Sequence, residues 1–287
     1  YRNLLRQAWL DKCRYMTTRG VYDYAFVDID LMNQAESLFN QAESAVQSTP
    51  IFLKRVQRER LPLTLLWLER YYELLQESQL LGRPFNGPTN LSAAINVYEA
   101  AVKDPANDIN YVSNTATIEQ MFMRLRDKAA LGQPPVPASL PSGQIDVQEN
   151  EFVLTNYGND VKLISDSGAS NQRAIQMYDK NTWSLRYPLL DGGTFKVYAT
   201  LKVQKKQGAV STDNAFTFGI FDVRPYTYVN TQTKTCGQVA DGTYQTHYFG
   251  QFTLNGGGRE FIFITPPSQN SGVDNILIDR IILEPVN

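Results

Sequence analysis

Apolar residues near the start of the chain recur at the spacing of an amphipathic helix. Over residues 28–46 they fall three or four positions apart, which places them on one helix face; they are Leu31, Ala35, Leu38, Ala42 and Val46, with Met32 and Phe39 widening the stripe. Asp28 or Asp30 stands ahead of the stripe, where a carboxylate can accept hydrogen bonds from the first free amides. The pattern therefore predicts a helix over 28–46.

Further stretches of the first half also predict helices. One begins near Pro50 with Thr49 as its cap and runs to Leu81, where Gly82 can end it. Pro62 lies inside this stretch and is expected to kink the helix or break it in two. The others are residues 1–19, the stripe from Leu91 to Val102 that stops at Asp104-Pro105, and the stripe from Ile118 to Ala129 that ends at Gly132.

The pattern changes at the proline-rich run 134–137, which predicts a stiff linker because several of its residues lack an amide donor. Beyond Gly143 the chain has about eight short runs of strand character separated by turn residues. They are Glu151–Thr155, Val161–Ser165, Ala174–Tyr178, Thr194–Gln204, Ala215–Asp222, Gln245–Leu254, Glu260–Thr265 and Asn275–Glu284. In the fourth run apolar residues from Phe195 to Val203 alternate with polar ones and Tyr198, which predicts one buried and one wet face.

These elements predict a multidomain α and β protein. An all-α helical bundle over 1–132 is followed by a linker over 133–143 and an all-β jelly-roll sandwich of the galactose-binding-like type over 144–287. Apolar residues make up 43% of the chain and charged residues 20%, which suffices for two separate cores. No apolar run reaches the roughly 18–20 residues that a membrane span needs.

Charge and residue counts exclude several function classes. With 27 basic and 29 acidic side chains and a net charge of −2, the chain has no basic field for a nucleic acid. His247 is the one histidine, so a multi-histidine metal site is excluded and a catalytic triad is disfavoured. Cys13 and Cys236 lie in segments of different character and are interpreted as two free thiols, which leaves the redox compartment open.

Two aromatic segments are candidates for carbohydrate contact. In the segment from Phe218 to Tyr228, Arg224 precedes Tyr226 and Tyr228, which are spaced to point the same way, so their rings can stack on the C–H face of a sugar. The same tyrosines could simply decorate a loop. The second segment holds Trp183, Arg186 and Tyr187, which line a groove or close the sandwich core.

Acidic residues offer two further hypotheses. Asp146, Glu149, Glu151 and Asp279 bracket the first and last strands, so Glu149 and Asp279 could hold a structural calcium ion, although their spacing resembles no EF-hand loop. No other cofactor is required. Glu36 and Glu43 share one helix face but follow the pattern of solvated side chains. Nothing in the sequence pairs two carboxylates for glycosidase chemistry.

Several motifs resemble a known family. Gly20-Val21-Tyr22-Asp23, the run from Leu31 to Glu43 and the run from Arg55 to Leu63 resemble the region downstream of the catalytic barrel in α-glucuronidase-like glycoside hydrolase proteins of polysaccharide-degrading bacteria, which carry a domain of unknown function there. The second half is similar to jelly-roll sugar-binding modules; the segments that carry this similarity are 166–170, 183–188, 193–202 and 278–281.

The resemblance implies a non-catalytic accessory region of a secreted, periplasmic or cell-surface protein. The family's catalytic carboxylates would lie upstream of Tyr1, so this chain alone is not expected to be an enzyme. The implied partners are a poly- or oligosaccharide, the catalytic domain of the same protein, and a second copy through Trp9, Tyr15, Tyr22 and Phe26. Two alternatives stay open: domains that only buttress the parent enzyme, and an enzyme that would need two facing carboxylates within this chain.

Overall fold

The computed structural model describes residues 3–4, 6–7, 27–107, 115–137, 139–178, 184–189, 191–267 and 269–286. Among these residues the chain divides into two compact units between Gln133 and Pro134. The helix expected over residues 1–19 and the apolar surface expected at Trp9, Tyr15, Tyr22 and Phe26 lie almost entirely outside the described residues. The domain limits inferred from the sequence stay a prediction about independent folding.

The helical unit contains five described α-helices, which are α1 Ile29–Val46, α2 Pro50–Glu69, α3 Tyr71–Leu81, α4 Leu91–Lys103 and α5 Thr115–Leu131. Asp28 caps α1 as expected, since its Oδ1 accepts a hydrogen bond of 2.8 Å from the Leu31 amide. Gly82 ends α3 in the left-handed region at φ 60°, which glycine adopts without steric cost. The helix starts and stops of this half were therefore largely readable from the sequence.

The helix is not broken at Pro62, and the alternative of a kink there stays a prediction. Pro62 lies inside α2, and the helix continues for seven further residues to Glu69. The break between α2 and α3 falls at Arg70, whose φ of −111° and ψ of 22° leave the helical region. The Arg70 guanidinium donates a hydrogen bond to the carbonyl oxygen of Val27. A contact distant in sequence, which no local pattern reveals, thus holds the side chain at the real break.

Apolar side chains of α2 to α5 form one core. Its buried members are Leu68, Tyr71, Leu91, Ile95, Tyr98, Val102, Phe122 and Leu125. Trp67 is also buried, and its ring meets that of Phe85 edge-on at 5.2 Å. The helical unit therefore has a hydrophobic core of its own.

The second unit consists of two antiparallel sheets. Its strands are β1 Ile145–Val147, β2 Val153–Leu154, β3 Val161–Ser165, β4 Arg173–Met177, β5 Leu185–Pro188, β6 Gly193–Lys205, β7 Asn214–Asp222, β8 Thr227–Thr235, β9 Tyr244–Leu254, β10 Glu260–Thr265 and β11 Val273–Pro285. One sheet has the order β3-β4-β11-β6-β9, with β1 added to β11. The other has the order β2-β5-β10-β7-β8. The expected all-β second half is thus confirmed as a sandwich-like pair of antiparallel sheets.

Side chains of both sheets meet in the core between them. Phe218 of β7 and Phe249 of β9 stack with ring centroids 3.9 Å apart and an angle of 6° between their planes. His247 of β9 points the same way, with its ring 5.2 Å from that of Phe216. Burial and the charge of Lys234 lower the pKa of His247, so the imidazole packs as a neutral core group.

Strands β1, β5 and β8 were absent from the expected set. β8 has no buried residue along its length, and it forms the outer edge of its sheet, where it pairs with β7 alone. A strand without a buried face carries no apolar alternation, which is the signal on which the sequence prediction rested. β1 and β5 are only three and four residues long.

Candidate functional site

Three phenylalanines form an apolar cluster on one face of the five-stranded sheet. Phe261 of β10 lies opposite Phe221 of β7, and Phe263 lies two residues further along β10. The intervening Ile262 lies opposite Ile220 and points to the other face, because side chains alternate along strands. The Phe221 and Phe261 rings are 5.4 Å apart. The cluster is therefore separate from the core between the sheets.

Two exposed tyrosines rest on this cluster. Tyr226 is 71% exposed and Tyr228 is 53% exposed. Both rings meet Phe221 edge-on with centroids 5.1 Å apart, at interplanar angles of 89° and 79°. Tyr228 also meets the Phe263 ring at 5.8 Å. Edge-to-face contacts of this kind hold aromatic rings in a preferred orientation, so the tyrosines present ordered rings to the solvent.

The turn between β7 and β8 is anchored by Asp222. Its Oδ2 accepts hydrogen bonds from Arg259 at 2.8 Å from Nε and 2.6 Å from Nη2, and its Oδ1 accepts one of 2.9 Å from the Arg224 amide. The hydrogen bond from Arg259 holds the pKa of Asp222 below its ordinary value. Tyr226 adopts a left-handed backbone at φ 56°, a conformation that is uncommon outside glycine. The fold thus maintains an unfavourable backbone geometry at Tyr226, the more exposed of the two tyrosines.

Arg186 extends the surface across β5. The strand pairs with β10, and the guanidinium carbon of Arg186 lies 5.7 Å from the centroid of the Phe261 ring. A cation over an aromatic face is a favourable contact. The exposed Tyr226 and Tyr228, the buried Phe221, Phe261 and Phe263 that support them, and Arg186 are together called the β7–β8 aromatic face below.

The structure separates the candidate residues that the sequence suggested. Arg186, Tyr226 and Tyr228 belong to the β7–β8 aromatic face, and Arg224 is exposed in its turn. Tyr187 points to the opposite side of β5, where its ring lies 6.1 Å from that of Phe152. Trp183 lies outside the described residues.

The sequence did not single out Phe221, Phe261 and Phe263 as site residues. The run Phe261-Ile262-Phe263-Ile264 is apolar on both faces of β10, which was a usable signal, since a strand with one wet face should alternate.

Glu149 and Asp279 contact neighbouring residues of one loop. Glu149 Oε2 accepts a hydrogen bond of 2.6 Å from Asn171 Nδ2, and its Oε1 lies 3.8 Å from Arg173 Nη1. Asp279 Oδ1 accepts hydrogen bonds from the amide and hydroxyl of Ser170, at 2.9 and 2.7 Å. Burial raises the pKa of Asp279.

The calcium site stays a prediction, and the cations beside its two carboxylates disfavour it. Calcium takes six to eight oxygen ligands, whereas Glu149 faces a guanidinium and Asp279 lies beside Arg280. Within the described part of the chain, no group of three or more His, Cys, Asp or Glu side chains could hold a metal ion. The arrangement is that of buried carboxylates bound by protein donors.

We therefore expect the thermal unfolding midpoint to be the same in millimolar calcium chloride and in EDTA, as measured by differential scanning calorimetry. An ion present at a concentration of about a hundred times its Kd would stabilise the fold by about 2.7 kcal/mol. A shift of several degrees in calcium, absent in magnesium, would show that the calcium prediction from the sequence was right.

Glu36 and Glu43 of α1 are joined through Arg60 of α2. The guanidinium donates hydrogen bonds to both carboxylates, and Trp67 Nε1 donates one of 3.2 Å to Glu36. Burial lowers the pKa of Arg60 and raises that of Glu43. Because a cation lies between them, the two carboxylates serve to link α1 to α2 and lack the open separation of an acid–base pair.

Comparisons with known proteins give similarity in structure alone. No family model matches the chain, and no curated protein matches its sequence. The Podospora anserina GH26-CBM35 β-(1,4)-mannanase matches 51% of this chain over 28% of its own, with 15% identity and a TM-score of 0.34. The Clostridium thermocellum xylanase 10B CBM22-1-GH10 modules, complexed with xylohexaose, match 50% over 26%, with 14% identity and a TM-score of 0.31.

A family 35 carbohydrate binding module from Clostridium thermocellum matches 50% of this chain over 99% of its own, with 14% identity and a TM-score of 0.36. This chain thus spans about a quarter of the length of the first two proteins and nearly all of the third. The solved structures to which this chain is similar include modules of polysaccharide-degrading enzymes.

None of the helices in the described part of the chain combines the length and apolar character that crossing a membrane requires.

Proposed function

We propose that the sandwich unit binds carbohydrate through the β7–β8 aromatic face. The observation that carries the proposal is that Tyr226 and Tyr228 are exposed yet held in place by edge-on contacts with Phe221. Rings fixed before binding lose little conformational freedom when a ligand arrives, which favours affinity. Arg186 lies on the same side of the sheet, with its guanidinium over the Phe261 ring.

This surface suits a sugar ligand. Its exposed residues include the two tyrosine rings with Val223 and Val229, and such ring faces can stack on the C–H face of a sugar. Phe221, Phe261 and Phe263 are themselves buried and serve as the support. The result is a small surface that combines ring faces with polar donors, as carbohydrate recognition requires.

In the wider proposal the chain is a non-catalytic accessory region of a secreted polysaccharide-degrading protein, with a galactose-binding-like jelly roll as its second domain. Beside the binding face, at the paired ends of β7 and β10, the carboxylate of Asp222 is bound to Arg259, and Glu260 is buried and accepts hydrogen bonds from the amides of Asn255 and Gly256. Neither carboxylate stands open to a substrate. The chemistry that this face supports is binding.

A purely structural role is the second candidate. Ile51, Phe52, Leu80 and Leu81 are exposed apolar side chains of the helical unit, and such residues favour contact with another domain or a second copy. If the chain binds no glycan, this buttressing or assembly role becomes the better account. The binding experiment therefore separates the two candidates.

The test is isothermal titration of the full chain with xylohexaose and mannohexaose, after a glycan array has ranked a broader panel. Truncating a central aromatic contact costs about 2 kcal/mol, which is roughly a thirtyfold loss of affinity. We expect the Y226A/Y228A variant to bind at this site at least about thirtyfold more weakly than the wild type.

The matched control is Y226F/Y228F, which keeps both rings and should retain binding within about threefold if stacking dominates. An unchanged affinity in a folded Y226A/Y228A chain would refute this location of the site.

A further inference from the structure

A second aromatic pair lies on the outer face of the other sheet. Tyr198 of β6 and Tyr248 of β9 are cross-strand neighbours, with ring centroids 5.0 Å apart and planes tilted by 39°. Their strand neighbours Val197, Ala199 and Phe249 are buried. Because strand side chains alternate, the two tyrosines face away from the sandwich core, and Tyr248 is 50% exposed.

A carboxylate holds the Tyr198 ring. The Tyr198 hydroxyl donates a hydrogen bond of 3.3 Å to Glu284 Oε2, and Gln144 Nε2 donates one of 3.3 Å to the same oxygen. Lys196 Nζ donates a hydrogen bond of 2.6 Å to Glu284 Oε1. The hydrogen bond from Lys196 lowers the pKa of Glu284, so the acceptor stays ionised at neutral pH. The ring that supports Tyr248 is thus fixed by polar contacts.

The backbone beneath the pair is irregular. The register between β6 and β9 shifts between Val197 and Tyr198, and Gly250 of β9 has a φ of 130° that side-chain-bearing residues rarely adopt. A bulge of this kind redirects the side chains of its strand and is common beside functional sites. It brings Tyr248 opposite Tyr198, with Gln251 opposite Lys196.

Exposed hydroxyl pairs flank the tyrosines in both directions along the strands. Thr200 and Thr246 lie 2.8 Å apart between their Oγ1 atoms, and Thr194 and Thr253 lie 3.0 Å apart. The row from one threonine pair to the other extends roughly 20 Å, at about 3.3 Å per residue along a strand. It is linear and combines ring faces with hydroxyl, amide and carboxylate groups.

We infer that this row is a second carbohydrate-contact surface, which takes an uncharged oligosaccharide lying along β6 and β9. The row, called the β6–β9 tyrosine strip, comprises Thr194, Lys196, Tyr198, Thr200, Thr246, Tyr248, Thr253 and Glu284. Lys196 and Glu284 neutralise each other, so the strip does not select an acidic sugar. Its two rings lie between pairs of threonine hydroxyls, an arrangement that suits the C–H faces and hydroxyl groups of a sugar.

The strip lies on the six-stranded sheet, whereas the β7–β8 aromatic face lies on the five-stranded sheet. The two surfaces share no residue. This inference therefore does not rest on the proposed function, and either surface could fail in an experiment while the other stands.

The test uses the full chain with xylohexaose and mannohexaose, in wild-type and Y226A/Y228A backgrounds. In the second background only the β6–β9 tyrosine strip remains for binding. We expect Y248A to weaken the remaining affinity about tenfold or more, as befits an aromatic contact at the centre of a site. Y248F keeps the ring and should change that affinity by less than about threefold. Circular dichroism confirms that each variant is folded.

Two outcomes would overturn the inference: Y226A/Y228A abolishes all binding, or Y248A leaves the residual affinity unchanged. If Y248A weakens binding and Y226A/Y228A does not, the strip stands and the β7–β8 face is refuted. A wild-type chain that binds neither oligosaccharide, nor any uncharged glycan of the array, refutes both surfaces.

Discussion

Replacing Phe221 with alanine is expected to destabilise the sandwich unit by about 3–5 kcal/mol, the usual cost of deleting a buried phenylalanine ring, and to weaken carbohydrate binding as well. The Phe221 ring is only 5% exposed, so it offers little surface to a ligand. It does, however, contact the rings of Tyr226, Tyr228 and Phe261. Removing it deletes the ring that both exposed tyrosines contact, and Tyr228 keeps its contact with Phe263.

The control for this prediction is Phe216→Ala. Phe216 is fully buried between the sheets, where its ring contacts those of His247 and Phe249, and it is not a member of the β7–β8 aromatic face. The Phe216→Ala substitution should lower the free energy of unfolding by a similar amount, measured by urea denaturation, while the glycan affinity stays near that of the wild type.

Titrations are made at low temperature, where both variants remain folded. Equal affinity losses in the two variants would mean that binding follows global stability and that Phe221 does not support a site.

Most of the fold could be predicted because its signals are local. Asp28 and Gly82 limit helices by capping chemistry that operates within a few residues. The alternation from Phe195 to Val203 predicts one buried face of β6, and those residues are buried. Where the determinant is distant in sequence, the prediction failed. Arg70 interrupts the long helix beside a contact to Val27, and β8 pairs as an exposed edge that no apolar pattern marks.

The candidate site was only partly visible for a similar reason. Arg186 and Tyr187 are adjacent in sequence, so alternation alone requires that they face opposite sides of β5; grouping both in one groove overlooked this rule. Tyr226 and Tyr228 both contact Phe221, and their role in binding stays a prediction. Their support by Phe221 depends on the pairing of β7 with β8, including a register shift beside Phe221, and no local pattern specifies that pairing.

The same limit applies to the β6–β9 tyrosine strip. The alternation of β6 places Tyr198 on the wet face, but its pairing with Tyr248 depends on a bulge some fifty residues away in sequence. The side of the sheet to which a single strand residue points can thus be predicted from the alternating pattern. The surfaces that they form together require the strand register.

Replacing Arg173 with methionine is the second change for which we expect a large effect, a loss of about 3–5 kcal/mol in the free energy of unfolding, because removing one partner of a buried ion pair leaves the other charge uncompensated. The Arg173 side chain is 5% exposed and that of Glu149 is 3% exposed. Asn171 still donates a hydrogen bond to Glu149 in the variant, but a neutral amide cannot balance a buried carboxylate.

The informative control is the double variant E149Q/R173M, which contains neither charge. We expect it to recover most of the lost stability, since pairs of buried charges can often be replaced by neutral side chains of similar volume with little cost. Urea denaturation of the wild type, R173M, E149Q and the double variant gives the coupling free energy between the two side chains. A coupling near zero would mean that Arg173 does not compensate Glu149. If the Arg173→Met chain then gained stability from calcium, Glu149 would be a metal ligand after all, and the arginine would occupy a position that an ion can fill.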